Sequence, residues 1–171
     1  MSLRHALLGL LAGRTASGYD LLKGFDSSLA NVWPATQSQV YGELGKLADS
    51  GLIEVVGQGP RGRKDYALTE NGLAELRRWL GEFPEPQRRN EALLRVFFMS
   101  QLEPDQRVAF FEYRAEQAAA RHKQLEQVLA AVDWDVTEPI TRNGRIALEY
   151  GLRLTAMTVE WAEWAAKHVD Q

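Results

Sequence analysis

The stretch Trp33-Pro-Ala-Thr-Gln-Ser-Gln-Val-Tyr-Gly-Glu-Leu-Gly-Lys-Leu-Ala-Asp-Ser-Gly-Leu-Ile53 decides the fold. Pro34 ends whatever precedes it. Thr36 and Gln39 have capping-box spacing, worth about 1 kcal/mol to a helix start. Val40, Leu44 and Leu47 fall at i, i+4 and i+7, so this face points inward. Gln37, Ser38, Tyr41 and Lys46 lie off that stripe. Asp49-Ser-Gly51 closes the helix, with Gly51 suited to a left-handed cap. The spacing thus predicts a short amphipathic helix whose outward face opens on amides and a hydroxyl.

Two helices are expected before it. Leu3 to Leu11 forms the first; its apolar run leads straight into another helical segment, so it is read as part of the fold and not as a signal peptide. Ser17 and Asp20 cap the second, whose apolar face is Leu21, Leu22, Phe25, Leu29 and Val32. After Gly51, Leu52 to Val56 reads as a strand and Asp65 to Leu68 as its return. The turn between them carries Arg61, Arg63 and Lys64, giving a hairpin with a basic tip. Thr69 caps a fourth helix with Leu73, Leu76 and Leu80. Phe83-Pro-Glu-Pro-Gln87 is the expected boundary, which puts the domains at 1–84 and 88–171.

The second half reads as all helix. Glu91 to Ser100 is short and strongly apolar. Val108, Phe111, Ala115, Ala118, His122, Leu125, Leu129 and Val132 then recur at alternating spacings of three and four, a heptad seam. The last helix, from about 141 to 168, carries a small-residue stripe of Gly144, Ala147, Gly151, Leu154, Thr158, Trp161 and Ala165. The seam and the positions from Gly144 to Leu154 are expected to build a homodimer, with packing of the seam within one chain as the alternative, because one subunit has too few helices to cover both long ones. The fold class is therefore mainly α: a winged helix-turn-helix with a small β-hairpin wing, then an all-helical domain.

Among 171 residues there is no cysteine, which excludes disulfides, thiol catalysis and cysteine metal sites. His5, His122 and His168 are too scattered for a metal site, and no cofactor is expected. No apolar run reaches the roughly 18 residues of a membrane span. The net charge of -3 weighs against a nucleic-acid partner. Local charge matters more: the crowded wing cations repel one another unless an anion neutralises them, and a DNA backbone does so. Gln37, Ser38 and Gln39 have donors and acceptors for base edges, and Tyr41 can donate to a phosphate. An enzyme lacks support, since no glycine-rich phosphate loop, nucleophile motif or paired carboxylates stand in a credible context. A winged helix used for protein contact would carry an apolar wing, not a cationic one.

Trp33 to Ile53 resembles the signature of PadR-type regulators, in which a Ser-Gln-Val-Tyr-like stretch precedes two spaced leucines and Gly-Leu-Ile. Ser17-Gly-Tyr-Asp-Leu21, Gly62-Arg-Lys-Asp-Tyr66 with Leu68-Thr69, Leu93-Leu-Arg-Val-Phe-Phe98 and Trp161 resemble further parts of the family's longer members. The resemblance implies a cytoplasmic homodimeric regulator, usually a repressor, whose recognition helices enter successive major grooves of operator DNA. Some relatives release DNA on binding phenolic acids or drugs; nothing in these residues identifies such a ligand here. Another ligand-responsive winged-helix family would keep the same function.

The expected DNA-contact set is Tyr19, Thr36, Gln37, Ser38, Gln39, Tyr41, Lys46, Arg61, Arg63 and Lys64. Tyr19 has packing as an equal alternative, and Tyr41 has packing on the fourth helix. His122 reads as a hydrogen-bonded core or interface residue, with a sensing role as the alternative. Trp134, Trp161 and Trp164 are candidates for a small aromatic effector's pocket, against plain core packing.

Overall fold

The structure, a computed structural model, describes residues 2–25, 29, 32–83, 89–135, 137 and 139–170, with the side chains of Ser2 and Arg61 excepted. The chain divides into two compact units, residues 1–86 and 87–171. Residues 84–87 of the expected boundary lie outside the described ones.

In the first unit, α1 (Ser2–Leu11), α2 (Gly18–Gly24) and α3 (Gln37–Asp49) precede the hairpin strands β2 (Ile53–Gln58) and β3 (Lys64–Leu68), and α4 (Glu70–Gly81) follows. The caps are those that the side chains dictate. Ser17 and Asp20 close a capping box on α2, Thr36 and Gln39 on α3, and Thr69 caps α4. Gly51 takes φ +68°, the left-handed turn that releases the chain from α3 into β2.

The sheet has three strands, not two. Ala16–Ser17 forms a short β1 antiparallel to β3, giving the order β1-β3-β2. Ala16 stands opposite Tyr66 and Ser17 opposite Asp65. Two residues are too few for any alternation to reveal a strand. On the other side of β3, a register shift between Val55 and Gly57 marks a bulge. A one-turn 3-10 helix at Pro60–Gly62 forms the tip, and Gly62 adopts φ +78°.

Leu7, Leu8, Leu21, Phe25, Val40, Leu44 and Leu47 are fully buried in one core. α4 packs so near Leu52 that a Cβ on Gly72 would lie 2.0 Å from the Leu52 carbonyl oxygen. Val32 and Leu80 depart from expectation and are 62% and 65% exposed. α2 ends at Gly24, so its periodicity no longer carries Val32 inward, and Leu80 sits in the last turn of α4.

His5 is buried between α1 and α4. Its ring stacks on Trp79 at 4.5 Å, and its Nε2 lies 3.1 Å from Glu75 Oε1. Arg78 donates to both Glu75 oxygens at 2.9 Å. These donors, Arg78 foremost, hold the Glu75 carboxyl at about 2 against an ordinary 4.5.

The second unit holds α5 (Glu91–Phe97), α6 (Pro104–Ala131) and α7 (Pro139–His168). Phe111 meets Trp161, His122 meets Thr155, and Leu125 lies over Gly151. Numbers rise on one helix as they fall on the other, so α6 and α7 form an antiparallel hairpin.

Because its folded-state value is depressed, Glu75 contributes stability in full above pH 4.5 and loses it as pH falls towards 2. Urea unfolding of the full chain between pH 5 and 2.5 should show this loss. Glu75→Gln should be less stable at pH 5 and flatter across the window; parallel curves for the two proteins would refute the assignment.

Candidate nucleic-acid interface

α3 presents its first turn to solvent because Val40, Leu44 and Leu47 anchor its other face. Gln37, Ser38 and Gln39 are all exposed. They are not equivalent. The Thr36 N–H donates to Gln39 Oε1 at 2.8 Å, and the Gln39 N–H donates back to Thr36 Oγ1 at 3.3 Å. Thr36 Oγ1 also lies 3.1 Å from Ser38 Oγ. The capping box therefore takes the Gln39 carbonyl oxygen and the Thr36 hydroxyl, and leaves the Gln39 amide nitrogen to act as donor. Among the described residues, the Gln37 side chain makes no hydrogen bond, so both its donor and its acceptor face outward.

Tyr41 is 42% exposed and Tyr19 67%. The Tyr41 ring packs on α2, not α4: a Cβ built on Gly18 would lie 2.5 Å from its Cε1. Gly18 is thus glycine because the ring occupies the space a side chain would need. Beneath it, burial pushes the Tyr66 hydroxyl above its ordinary range, with a smaller push from Tyr41. The ring packs on Gly18 while the residue as a whole stays 42% exposed.

Lys46 is exposed and pairs with Glu43 at 3.4 Å, one turn back. On the wing, Lys64 is exposed at the start of β3. Arg63 instead turns back to Asp65 (3.1 Å) and Asp20 (3.8 Å). The side chain of Arg61 lies outside the described residues. The two aspartates were not among the expected site residues. Asp65 adjoins the cations in sequence, but Asp20 reaches the wing only through the β1–β3 pairing.

In the second unit, the heptad seam expected to face a partner subunit faces α7 of its own chain. Phe111, Ala118 and Leu125 are buried, and Val108, Ala115, His122 and Leu129 half-buried. His122 Nδ1 is 2.8 Å from Thr155 Oγ1, which itself donates to the Gly151 carbonyl at 2.9 Å, and His122 Nε2 lies 3.7 Å from Glu126. The small-residue stripe splits. Gly151 turns inward, where a Cβ would lie 3.0 Å from Leu125 Cδ1, while Gly144, Ala147 and Leu154 stay exposed.

A second stripe on α7 was missed. Ile146, Tyr150, Leu154, Met157 and Trp164 are all exposed, at helical spacings along one side. α5 buries none of its residues and exposes Leu93, Leu94 and Phe97, with Phe98 just beyond. The three tryptophans do not gather. Trp134 donates to the Leu129 carbonyl and lies against Gly144 at the turn between α6 and α7. Trp161 packs on Phe111, about 25 Å further along α7 at 1.5 Å per residue. Trp164 stacks on His168 at the surface.

Three helices, a cationic hairpin and a fourth helix, with a polar helix start held outward, define a winged helix-turn-helix. Residues 7–78 match the family described as transcriptional regulator PadR-like, and residues 88–170 match virulence activator alpha C-term. The negative transcriptional regulator PadR of Bacillus subtilis (strain 168) is 35% identical over 129 residues, which span 72% of this chain and 71% of that protein. This chain belongs to the PadR-like family of transcriptional regulators.

Two crystal structures of Bacillus subtilis PadR are similar over nearly the whole chain. The complex with operator DNA has a TM-score of 0.80 at 28% identity, covering 99% of each chain. The complex with p-coumaric acid has a TM-score of 0.82 at 28% identity, covering 100% of each. The Vibrio cholerae virulence activator AphA shares the fold, with a TM-score of 0.85 at 24% identity over 98% of each chain.

Gly18→Ala should force the Tyr41 ring aside and destabilise the protein by about 1–3 kcal/mol, the usual range for overpacking. Adding Tyr41→Ala should remove most of that loss. Urea unfolding of the two single variants and the double variant checks this, and simple additivity would show that the ring and Gly18 are independent.

Proposed function

We propose that this chain is a cytoplasmic, non-enzymatic repressor that binds operator DNA as a homodimer through residues 1–84 and associates through residues 88–171. One observation carries the reading: the first turn of α3 is held outward by a fully buried opposite face, with Tyr19, Tyr41 and Lys64 exposed in the same unit. Gln37 and Ser38 are assigned to base edges, with the Gln39 amide nitrogen as a further donor. Tyr19, Tyr41, Lys46 and Lys64 are assigned to the backbone. Thr36 serves by shaping the helix start. Arg61 stays in the set as a wing cation.

The dimer face is assigned to the exposed stripe of α7 with Leu154, and to the apolar side of α5. Exposed apolar surface of this extent marks an interaction site. The Bacillus subtilis relative is a negative regulator with structures on operator DNA and with p-coumaric acid, which supports repression relieved by a small aromatic effector. Trp161 and Trp164, neighbours on α7, are the aromatic candidates for it. Trp134 lies too far along the helix to share their pocket.

Two such units related by a two-fold axis should select near-palindromic DNA with half-sites about one helical turn apart. Light scattering should give twice the chain mass. On a fragment selected from genomic DNA, Gln37→Ala should cost about 1–3 kcal/mol and little on random duplex. Tyr41→Phe should weaken both. Equal losses for Gln37→Ala on the two DNAs would mean that α3 positions the protein without reading sequence.

A further inference from the structure

The two described wing cations are held differently, and the difference lies in the sheet beneath them. Arg63 Nε donates to Asp65 Oδ1 at 3.1 Å, and its Nη2 lies 3.8 Å from Asp20 Oδ2. The same Asp20 oxygen accepts the Ser17 hydroxyl at 2.6 Å and the Ser17 N–H at 3.3 Å. Ser17 in turn stands opposite Asp65 across the β1–β3 pairing. One polar node therefore ties the wing to the cap of α2.

Two glycines make room for it. A Cβ on Gly57 would lie 3.1 Å from Asp65 Oδ2, and one on Gly59 would lie 3.3 Å from Arg63 Cβ and Cδ. The Gly59 N–H also donates to the Arg63 carbonyl at 2.8 Å, so the stem of Arg63 is held along the turn at both its backbone and its side chain. The hydrogen bonds from Ser17, with a smaller contribution from Arg63, hold the Asp20 carboxyl below its ordinary range, so it is ionised at neutral pH.

The charge balance follows. One guanidinium faces two carboxylates, and Arg14 also attracts Asp20, so the charges of the node are balanced within it. A phosphate approaching Arg63 meets a guanidinium already engaged by two carboxylates. Lys64 is the next residue, and among the described residues it makes no ion pair.

We propose that Arg63 is a positioning residue and not a phosphate ligand: held by Asp65 and Asp20, it fixes the wing against α2 so that Lys64 meets the DNA backbone. This rests on the DNA-binding reading of the first unit.

The test is the slope of log K against log salt on a random-sequence duplex, measured with the full-length protein. Each lost phosphate contact lowers that slope by about 0.9. Lys64→Ala should lower it by that amount, and adding Arg63→Ala should lower it no further. A combined fall of about 1.8 would give Arg63 a contact of its own and overturn the proposal. Asp20→Asn with Asp65→Asn keeps the hydrogen-bond acceptors and frees the guanidinium. In that variant the freed guanidinium gains a phosphate as Lys64 loses its fixed place, so the slope should stay near that of the unaltered protein, and adding Arg63→Ala should lower it by about 0.9. If adding Arg63→Ala changes nothing, the node does not restrain it. Should the paired variant unfold, Asp65→Asn alone carries the same prediction. Absence of salt-dependent binding by the unaltered protein would instead refute the DNA-binding reading itself.

Discussion

Val40, Leu44 and Leu47 lose all contact with water, and their burial fixes the rotation of α3 about its own axis. Each such side chain contributes about 1.5–3 kcal/mol when taken from water into a packed interior. Turning the helix by a single residue, about 100°, would expose the stripe and bury Gln37 and Tyr41. The polar face is thus held outward by the apolar one. The core of α1, α2 and β2 supplies the surface against which the stripe packs, so a substitution deep in that core acts at the exposed first turn of α3 without touching it.

The same logic extends to the sheet. Ser17 is at once a strand residue, a helix cap and a donor to Asp20, so the start of α2 and the edge of β3 cannot move independently. Tyr41 lies over Gly18, the first residue after that cap. α3, α2 and the wing share this small region. The relative placement of the groups proposed to meet base edges and phosphates is therefore set by a handful of short polar contacts and one missing side chain.

Much of this was legible in the sequence because the signals are local. A capping box spans four residues, an αL glycine one, and the α3 stripe eight; each was readable at Thr36, Gly51 and Val40 to Leu47. What escaped was decided by partners distant in sequence. Heptad spacing from Val108 to Leu129 states that one face of α6 is apolar, but not whether the helix covering it belongs to the same chain. α7 carries two overlapping apolar stripes, and the small-residue one drew attention from Ile146, Tyr150 and Met157. Arg63 looked like one of three free cations, since its pairing with Asp20 spans more than 40 residues and needs a strand of two residues to form. The three tryptophans were grouped by composition, which says nothing of their spacing along a helix.

The hairpin of α6 and α7 bears on the order in which this protein comes into being. Its seam is satisfied within one chain, through contacts such as Phe111 on Trp161 and Leu125 over Gly151. A newly made C-terminal unit can therefore close its two long helices by a local, concentration-independent step before meeting any other subunit. The exposed sides of α5 and α7 would then be joined in a second, bimolecular step whose rate depends on how much protein is present. Under the proposed dimer, at protein concentrations well below the dissociation constant of pairing, operator occupancy would rise with the square of expression until pairing saturates.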